Sequence, residues 1–365
     1  MRIALVIYGR PDQISGGFIY DRALVAGLAA RGHQIDVIAL PWRRYGRAVV
    51  SSVIGGPGRA RPEDTLAYDV VIEDELIHPS VFTARAASRL GPPGRVRVAL
   101  VHNLRSDQPG EGLRAIKIRV ERRYFDGVAG AIAVCTRTRD DVTALLGRRL
   151  PCLVARPGRD HVAPNVADTD AAARALEPGP LRVLHVAAVQ PHKGLDRLLA
   201  ALARARALSP AFDFTLDVVG ARATASYERR ISRQIAGMDL HRRVRFHGLL
   251  RAAPLQALFR RNQIFALPSD REAYSLACLE ALGYGLPVLA TCHGGLDEMI
   301  TDGVQGFLIA PADTGTWASR LIELATNRAQ LHEMSFAALA RYRAHNTWAE
   351  VAASVDSFLT TLRDR

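Results

Sequence analysis

The sequence predicts an α/β protein of two Rossmann-like parallel-sheet domains facing a cleft. Strand-sized apolar runs alternate with helical stretches along all 365 residues, the runs fall into two sets, and two carboxylates, Glu272 and Glu280, straddle one strand, loop and helix unit of the second set. Alternation of this kind builds parallel sheets flanked by helices. Open parallel sheets bind ligands beyond the carboxyl ends of their strands, so two facing sheets place a cleft between them.

In the first half the strand-like runs are 2–7, 34–40, 69–73, 97–102, 128–134 and 152–155. In the second they are 181–187, 213–219, 244–247, 264–267, 287–290 and 306–309. The segment Pro157 to Pro180 lacks a strand pattern and reads as the connection. The expected organisation is therefore a domain over 1–160, a linker over 161–180, a second domain over 181–345 and an amphipathic C-terminal helix within 346–365.

Length and a 48% apolar content fit two domains with a core each, and they exclude disordered and fibrous classes. The longest apolar runs are far below the ~20 residues that cross a bilayer, and nothing resembles a signal peptide. Cys135, Cys152, Cys278 and Cys292 have neither metal-ligand spacing nor the density of a secreted scaffold, which reads as a reduced, cytoplasmic chain. The formal charge of +12 is carried almost wholly by arginine; Lys117 and Lys193 are the two lysines. That makes the compact ammonium of Lys193 stand out. No recognition motif supports nucleic-acid binding beyond the charge itself.

The strand 264–267 ends at Pro268, the polar loop 269–273 carries Glu272, and the spacing of Leu276, Leu279 and Leu282 places Glu280 inside a helix. Such a unit offers helix N–H groups to an anion and carboxylates to hydroxyls. A ligand with phosphate in its middle and sugar at both ends matches that chemistry. Ser15-Gly16-Gly17, between the first strand and the run Phe18 to Ala30, lets the backbone approach a phosphate or sugar at the positive end of a helix.

Glu272, Glu280, Gly283-Tyr-Gly285-Leu-Pro287-Val, then Gly294-Gly295 and Glu298, form a pattern that resembles the donor-binding signature of family 4 glycosyltransferases, which have the GT-B architecture. Ser15-Gly16-Gly17, His102 after the fourth strand and His192-Lys193-Gly194 follow in the family's order, so the resemblance covers nearly the whole chain. It implies a retaining, metal-independent transfer from a nucleotide sugar, with the base open among UDP, GDP and ADP, no cofactor, and an unidentified acceptor. It also implies that the C-terminal helix packs back on the first domain, with Trp348 as an anchor.

On that resemblance His102, Lys193 and Glu272 are the catalytic candidates. Lys193 takes the leaving group, Glu272 the donor sugar hydroxyls and Glu280 the ribose hydroxyls, with Gly16, Gly17, Tyr274, Ser275 and Leu276 completing the donor site. Most family members carry an Arg five residues before the Lys, where this chain has Ala188; Arg222 and His192 are the candidates to replace its charge. Two carboxylates could instead be a glycosidase acid and base, but that chemistry does not need Lys193 or the Gly-Gly element.

On the acceptor side Glu73-Asp74-Glu75, with His78, ends the third strand; Glu73, Asp74 and Arg105 are acceptor candidates, a solvated acidic loop being the competing reading. The stretch 112–125 carries Arg114, Lys117, Arg119, Arg122 and Arg123. A solvated basic face is one expectation, and peripheral contact with an anionic membrane, aided by the Arg-rich loop Trp42 to Arg61, is the other. Asp168-Thr-Asp170 falls in the linker rather than after a strand and is assigned no metal. A nucleotide-sugar epimerase of the same architecture and an inactive sugar-nucleotide binder, the latter suggested by Ala188, are the alternative functions.

Overall fold

The computed structural model describes residues 1–13, 15–54, 68–88, 96–107, 113–162, 164, 166–221 and 224–365. The chain divides into two units, residues 1–161 with 346–365, and residues 162–345. Each is built on its own parallel sheet.

The first sheet comprises β1 (Arg2–Tyr8), β2 (Gln34–Leu40), β3 (Val70–Asp74), β4 (Val96–Val101), β5 (Gly130–Ala133) and β6 (Cys152–Val154), in the order β2-β1-β3-β4-β5-β6. The second comprises β7 (Leu181–Val186), β8 (Phe214–Val219), β9 (Val244–Gly248), β10 (Ile264–Leu267), β11 (Val288–Thr291) and β12 (Gly306–Ile309), in the order β12-β11-β10-β7-β8-β9. Central strands such as Ile3 to Ile7 and Ile264 to Leu267 are buried along their length. Continuous apolar runs are what a parallel sheet covered on both faces requires.

Strand order fixes where ligands can reach. In the first unit the order reverses between β1 and β3, and in the second between β7 and β10. Loops leaving the two strands at such a switch point diverge to opposite faces and open a crevice. The segment after β1 carries Gly16 and Gly17, β3 ends on Asp74 with Glu75 following, and the segments after β7 and β10 carry Lys193 and Glu272.

The expected linker 161–180 is not a bare connection. It contains the helix Asp168–Leu176, whose Ala171, Ala172, Arg174 and Ala175 are buried in the second unit. Arg174 reaches the carbonyls of Arg260, Tyr284 and Gly285, so a run of small alanines packs closely while one guanidinium caps neighbouring chain ends. Asp168 is paired with Arg343.

The helix Trp348–Arg363 belongs to the first unit and is opened by a capping box between Thr347 and Glu350. It packs against the helix Gly16–Ala30 at a point where Gly27 leaves room: a Cβ there would lie 2.6 Å from that of Ala352. Trp348 is buried edge-on to Tyr20 at 5.1 Å, and its backbone N–H donates to Asp160 at 2.7 Å.

Candidate functional site

In the second unit two loops meet. Gly194, with φ +75°, turns so tightly against the segment after β10 that a Cβ would stand 1.9 Å from the Pro268 carbonyl oxygen. Asp270 N–H donates to the His192 carbonyl at 2.8 Å, and Arg197 reaches the Pro268 carbonyl at 2.9 Å and Asp270 at 2.9 Å. On its other side the same loop is tied to the turn after β11, where Glu272 N–H donates to the His293 carbonyl and Gly295 N–H to that of Glu272. Gly294, with φ +124°, makes that possible, because a Cβ would overlap the Glu272 carbonyl oxygen at 1.8 Å.

Held from both sides, Glu272 accepts from Lys193 Nζ at 2.6 Å. Two residues 79 apart in sequence thus form one partly buried ion pair. The helix Leu276–Gly283 follows immediately, capped by the Ser275 hydroxyl, which accepts from Cys278 N–H at 3.4 Å. The remaining N–H groups of its first turn have no acceptor inside the helix, and their partial positive charge suits an anion. Leu276 is buried, and the Tyr274 ring is packed on His345 with its hydroxyl 3.1 Å from Nε2. What Tyr274 and Leu276 can offer a ligand is therefore backbone. Glu280 is half-buried one turn further along. It and Glu272 both act on Cys278, whose thiol is pushed up to about 12, by burial first and then by these carboxylates.

Of the cations expected to replace the family Arg at Ala188, Arg222 lies outside the described residues. Half-burial, then the neighbouring Lys193, hold the His192 pKa below the ordinary imidazole value. Replacing Gly294 with Ala is expected to push the Glu272 backbone out of place and to raise the donor KM by tenfold or more, since a misplaced positioning group costs that much or more in such a site. Donor titration of the variant checks this; an unchanged KM would mean that the 291–296 turn does not shape the donor site.

In the first unit the helix Gly16–Ala30 begins at Gly16, with the Ser15 hydroxyl accepting from Phe18 N–H at 3.4 Å. A Cβ on Gly17 would sit 3.5 Å from His102 Nε2, so glycine leaves space beside the imidazole. The backbone N–H of His102 donates to Glu75 at 3.0 Å, and its carbonyl accepts from the Thr138 hydroxyl at 3.4 Å. Its ring faces Asp21, with Nε2 3.9 Å from Oδ1, and stands edge-on to Tyr20. Burial alone would lower the His102 pKa, but Asp21, Glu75 and Asp74 outweigh it and hold it up at about 9. Asp74 is raised well above the usual carboxylate range, by burial first and then by Glu75 and Asp21; Glu75 is raised by burial, partly offset by His102.

The acidic run 73–75 is not a solvated loop, and its members divide. Glu73 is fully buried and bonded twice by Arg97, at 2.7 and 2.9 Å, so it is not free to receive an acceptor. The alternation of strand side chains explains the difference, since successive residues of β3 point to opposite faces. Asp74 caps Leu76 N–H at 2.7 Å and has a carboxylate oxygen within 4.8 Å of Asp21 and His102. His78 is buried, and its pKa is pushed down to about 4 by that burial. Arg105 N–H and Ser106 N–H both donate to the buried Glu121. Lys117 is buried as well, over the Tyr45 ring, and so is no part of a solvated basic face; Arg114, Arg119, Arg122 and Arg123 are exposed. Asp21 was missed by sequence reasoning. Its signal was a carboxylate one helical turn after Gly17, where a helix face turns inward.

Two parallel six-stranded sheets with their polar residues gathered at the switch points define the GT-B glycosyltransferase architecture. The solved structures similar to this chain agree. Sucrose-phosphate synthase from Thermosynechococcus elongatus superposes with a TM-score of 0.79 at 18% identity, over 99% of this chain and 98% of that one. HepE of Anabaena, solved in complex with UDP, gives 0.75 at 17% identity, over 99% and 100%. Residues 180–327, within the second unit, match the family model described as "Glycosyl transferases group 1". Among curated relatives, the D-inositol 3-phosphate glycosyltransferase of Arthrobacter sp. (strain FB24) is 27% identical, across 89% of this chain and 85% of its own length.

Proposed function

We propose that the protein is a retaining glycosyltransferase that moves a sugar from a nucleoside diphosphate donor, bound by the second unit, to a hydroxyl-bearing acceptor bound by the first. The observation that carries this reading is the Lys193–Glu272 pair, set beside the open N-terminus of the helix Leu276–Gly283 at the switch point of the second sheet. A diphosphate arriving there competes for the Lys193 ammonium and frees Glu272 to accept from sugar hydroxyls. Glu280, further along the helix, takes the ribose hydroxyls.

In the transfer, the bond between the anomeric carbon and the phosphate oxygen breaks as the acceptor oxygen bonds the same face of that carbon. The acceptor proton passes to the departing phosphate oxygen. Neither Glu is a nucleophile in this scheme. Lys193 stabilises the charge that grows on the leaving diphosphate, the kind of preorganised stabilisation worth about 10²–10³ in rate. UDP is the first nucleotide to test, given the UDP bound in HepE. Of the described helices, none is long and apolar enough to cross a membrane.

The test is a donor screen with UDP-, GDP- and ADP-sugars, read by thermal shift and by transfer or hydrolysis, on the wild type and on Glu280→Ala. One donor is expected to stabilise the protein and turn over, with its KM raised about tenfold or more in Glu280→Ala, the loss expected for hydrogen bonds to a charged acceptor. Binding without turnover would favour a second reading, a sugar-nucleotide binder weakened by Ala188. Conversion of donor alone to an isomer would favour an epimerase, and no response to any donor would reject the assignment.

A further inference from the structure

The Asp21 side chain is 3% exposed, and neither of its oxygens has a hydrogen-bond partner. His102 Nε2, 3.9 Å away, is buried and unpartnered too. A buried carboxylate without a partner costs free energy, so a pocket that keeps one is built around a positive charge or a proton. With Asp74 the two residues bring two carboxylate oxygens and a ring nitrogen within 4.8 Å of one another.

From this arrangement we infer that Asp21 is a positioning residue that holds the His102 ring as an imidazolium, with Nε2–H turned inward and Nδ1–H presented to the substrate. Among the described residues, the charged groups that act on the ring are Asp21, Asp74 and Glu75, all carboxylates. The helix Gly16–Ala30 supplies Asp21 and Tyr20, whose ring makes an edge-to-face contact with the imidazole; the end of β3 supplies Asp74 and Glu75; the helix Thr136–Leu146 supplies the Thr138 hydroxyl, spent on the His102 carbonyl. The raised pKa of His102, at about 9, is the same balance seen from the proton's side. A closing movement of about 1 Å would complete the Asp21–His102 hydrogen bond at an ordinary length.

The consequence rests on the transferase reading only for its meaning in catalysis. His102 then meets the substrate as a charged donor to a sugar oxygen, not as a base. It remains so through neutral pH and loses the proton only as pH rises through its pKa.

The charge itself is measured without activity. Imidazole resonances of the full chain are titrated by NMR, and that of His102 is identified by its loss in His102→Gln. The wild type is expected to titrate near 9. Asp21→Asn is expected to lower the midpoint by about a unit or more, each unit being tenfold in proton affinity. In turnover, it should lower kcat and shift the alkaline limb of the kcat profile downward, with donor KM little changed. If Asp21→Asn does not fold, Asp21→Glu should keep the midpoint high, and the wild-type titration alone decides. A wild-type midpoint near the ordinary 6.5, or one that Asp21→Asn leaves unmoved, would overturn the inference while leaving the donor screen intact. So would quenching of the His102 resonance by stoichiometric Mn²⁺, reversed by chelator, which would make the pocket a cation site.

Discussion

Lys193→Ala is expected to lower kcat by about 10²–10³, the loss seen when one preorganised donor to a developing negative charge is removed. The effect is expected to be this large because the family Arg position is Ala188 and the nearby Arg197 is spent on Asp270 and the Pro268 carbonyl. The substitution has a second expected effect, on stability. It leaves Glu272, 10% exposed in its side chain, without the ammonium 2.6 Å away. An unpaired charged acceptor costs about 1–3 kcal/mol, or a few degrees of Tm for a chain of this size. Lys193→Arg should rescue the stability more than the rate, because the longer planar guanidinium keeps the charge but cannot occupy the place of a compact ammonium. Full activity in Lys193→Ala would leave the leaving-group role to another residue and would remove the observation on which the proposed function stands.

Glu73→Ala should strongly destabilise the first unit. It removes the carboxylate that Arg97 bonds with two donors; Glu73 is completely buried and Arg97 is 17% exposed in its side chain. Removing one partner of a buried ion pair leaves the other uncompensated at about 3–5 kcal/mol. That corresponds to a fall in Tm on the order of 10 °C, readable by calorimetry. The double replacement Glu73→Leu with Arg97→Met should recover much of it, since an apolar pair of similar volume avoids the desolvation cost. Acceptor KM and donor KM should stay near wild type in whatever fraction folds. A small change in Tm with a large rise in acceptor KM would return Glu73 to the acceptor site.

The contrast between Glu73 and Asp74 shows where a sequence stops speaking. Adjacent carboxylates look alike in a string, yet the pleat of β3 sends one to Arg97 and the other toward His102. Lys117 is a similar case. It reads as one more cation of a basic helix, and it is buried over Tyr45. The segment that contains the helix Asp168–Leu176 reads as a linker in the sequence because it lacks a strand pattern and lies between prolines. Its packing depends on small side chains and on Arg174, which period counting does not weigh.

By itself the sequence determined the two-sheet α/β class and the positions of the twelve strands among the described residues, because the buried central strands of a parallel sheet must be written as short continuous apolar runs and the edge strands keep the same alternation with helices. It also determined the strand, loop and helix unit around Glu272 and Glu280, whose spacing is local. Only the tertiary structure decided which distant residues share a place. The order β12-β11-β10-β7-β8-β9 puts the segment after β7 beside the one after β10 and so joins Lys193 to Glu272; β1 beside β3 brings Asp21 to Asp74 and His102. Strand order is set by how whole crossovers pack, a property of long-range burial that no local pattern encodes.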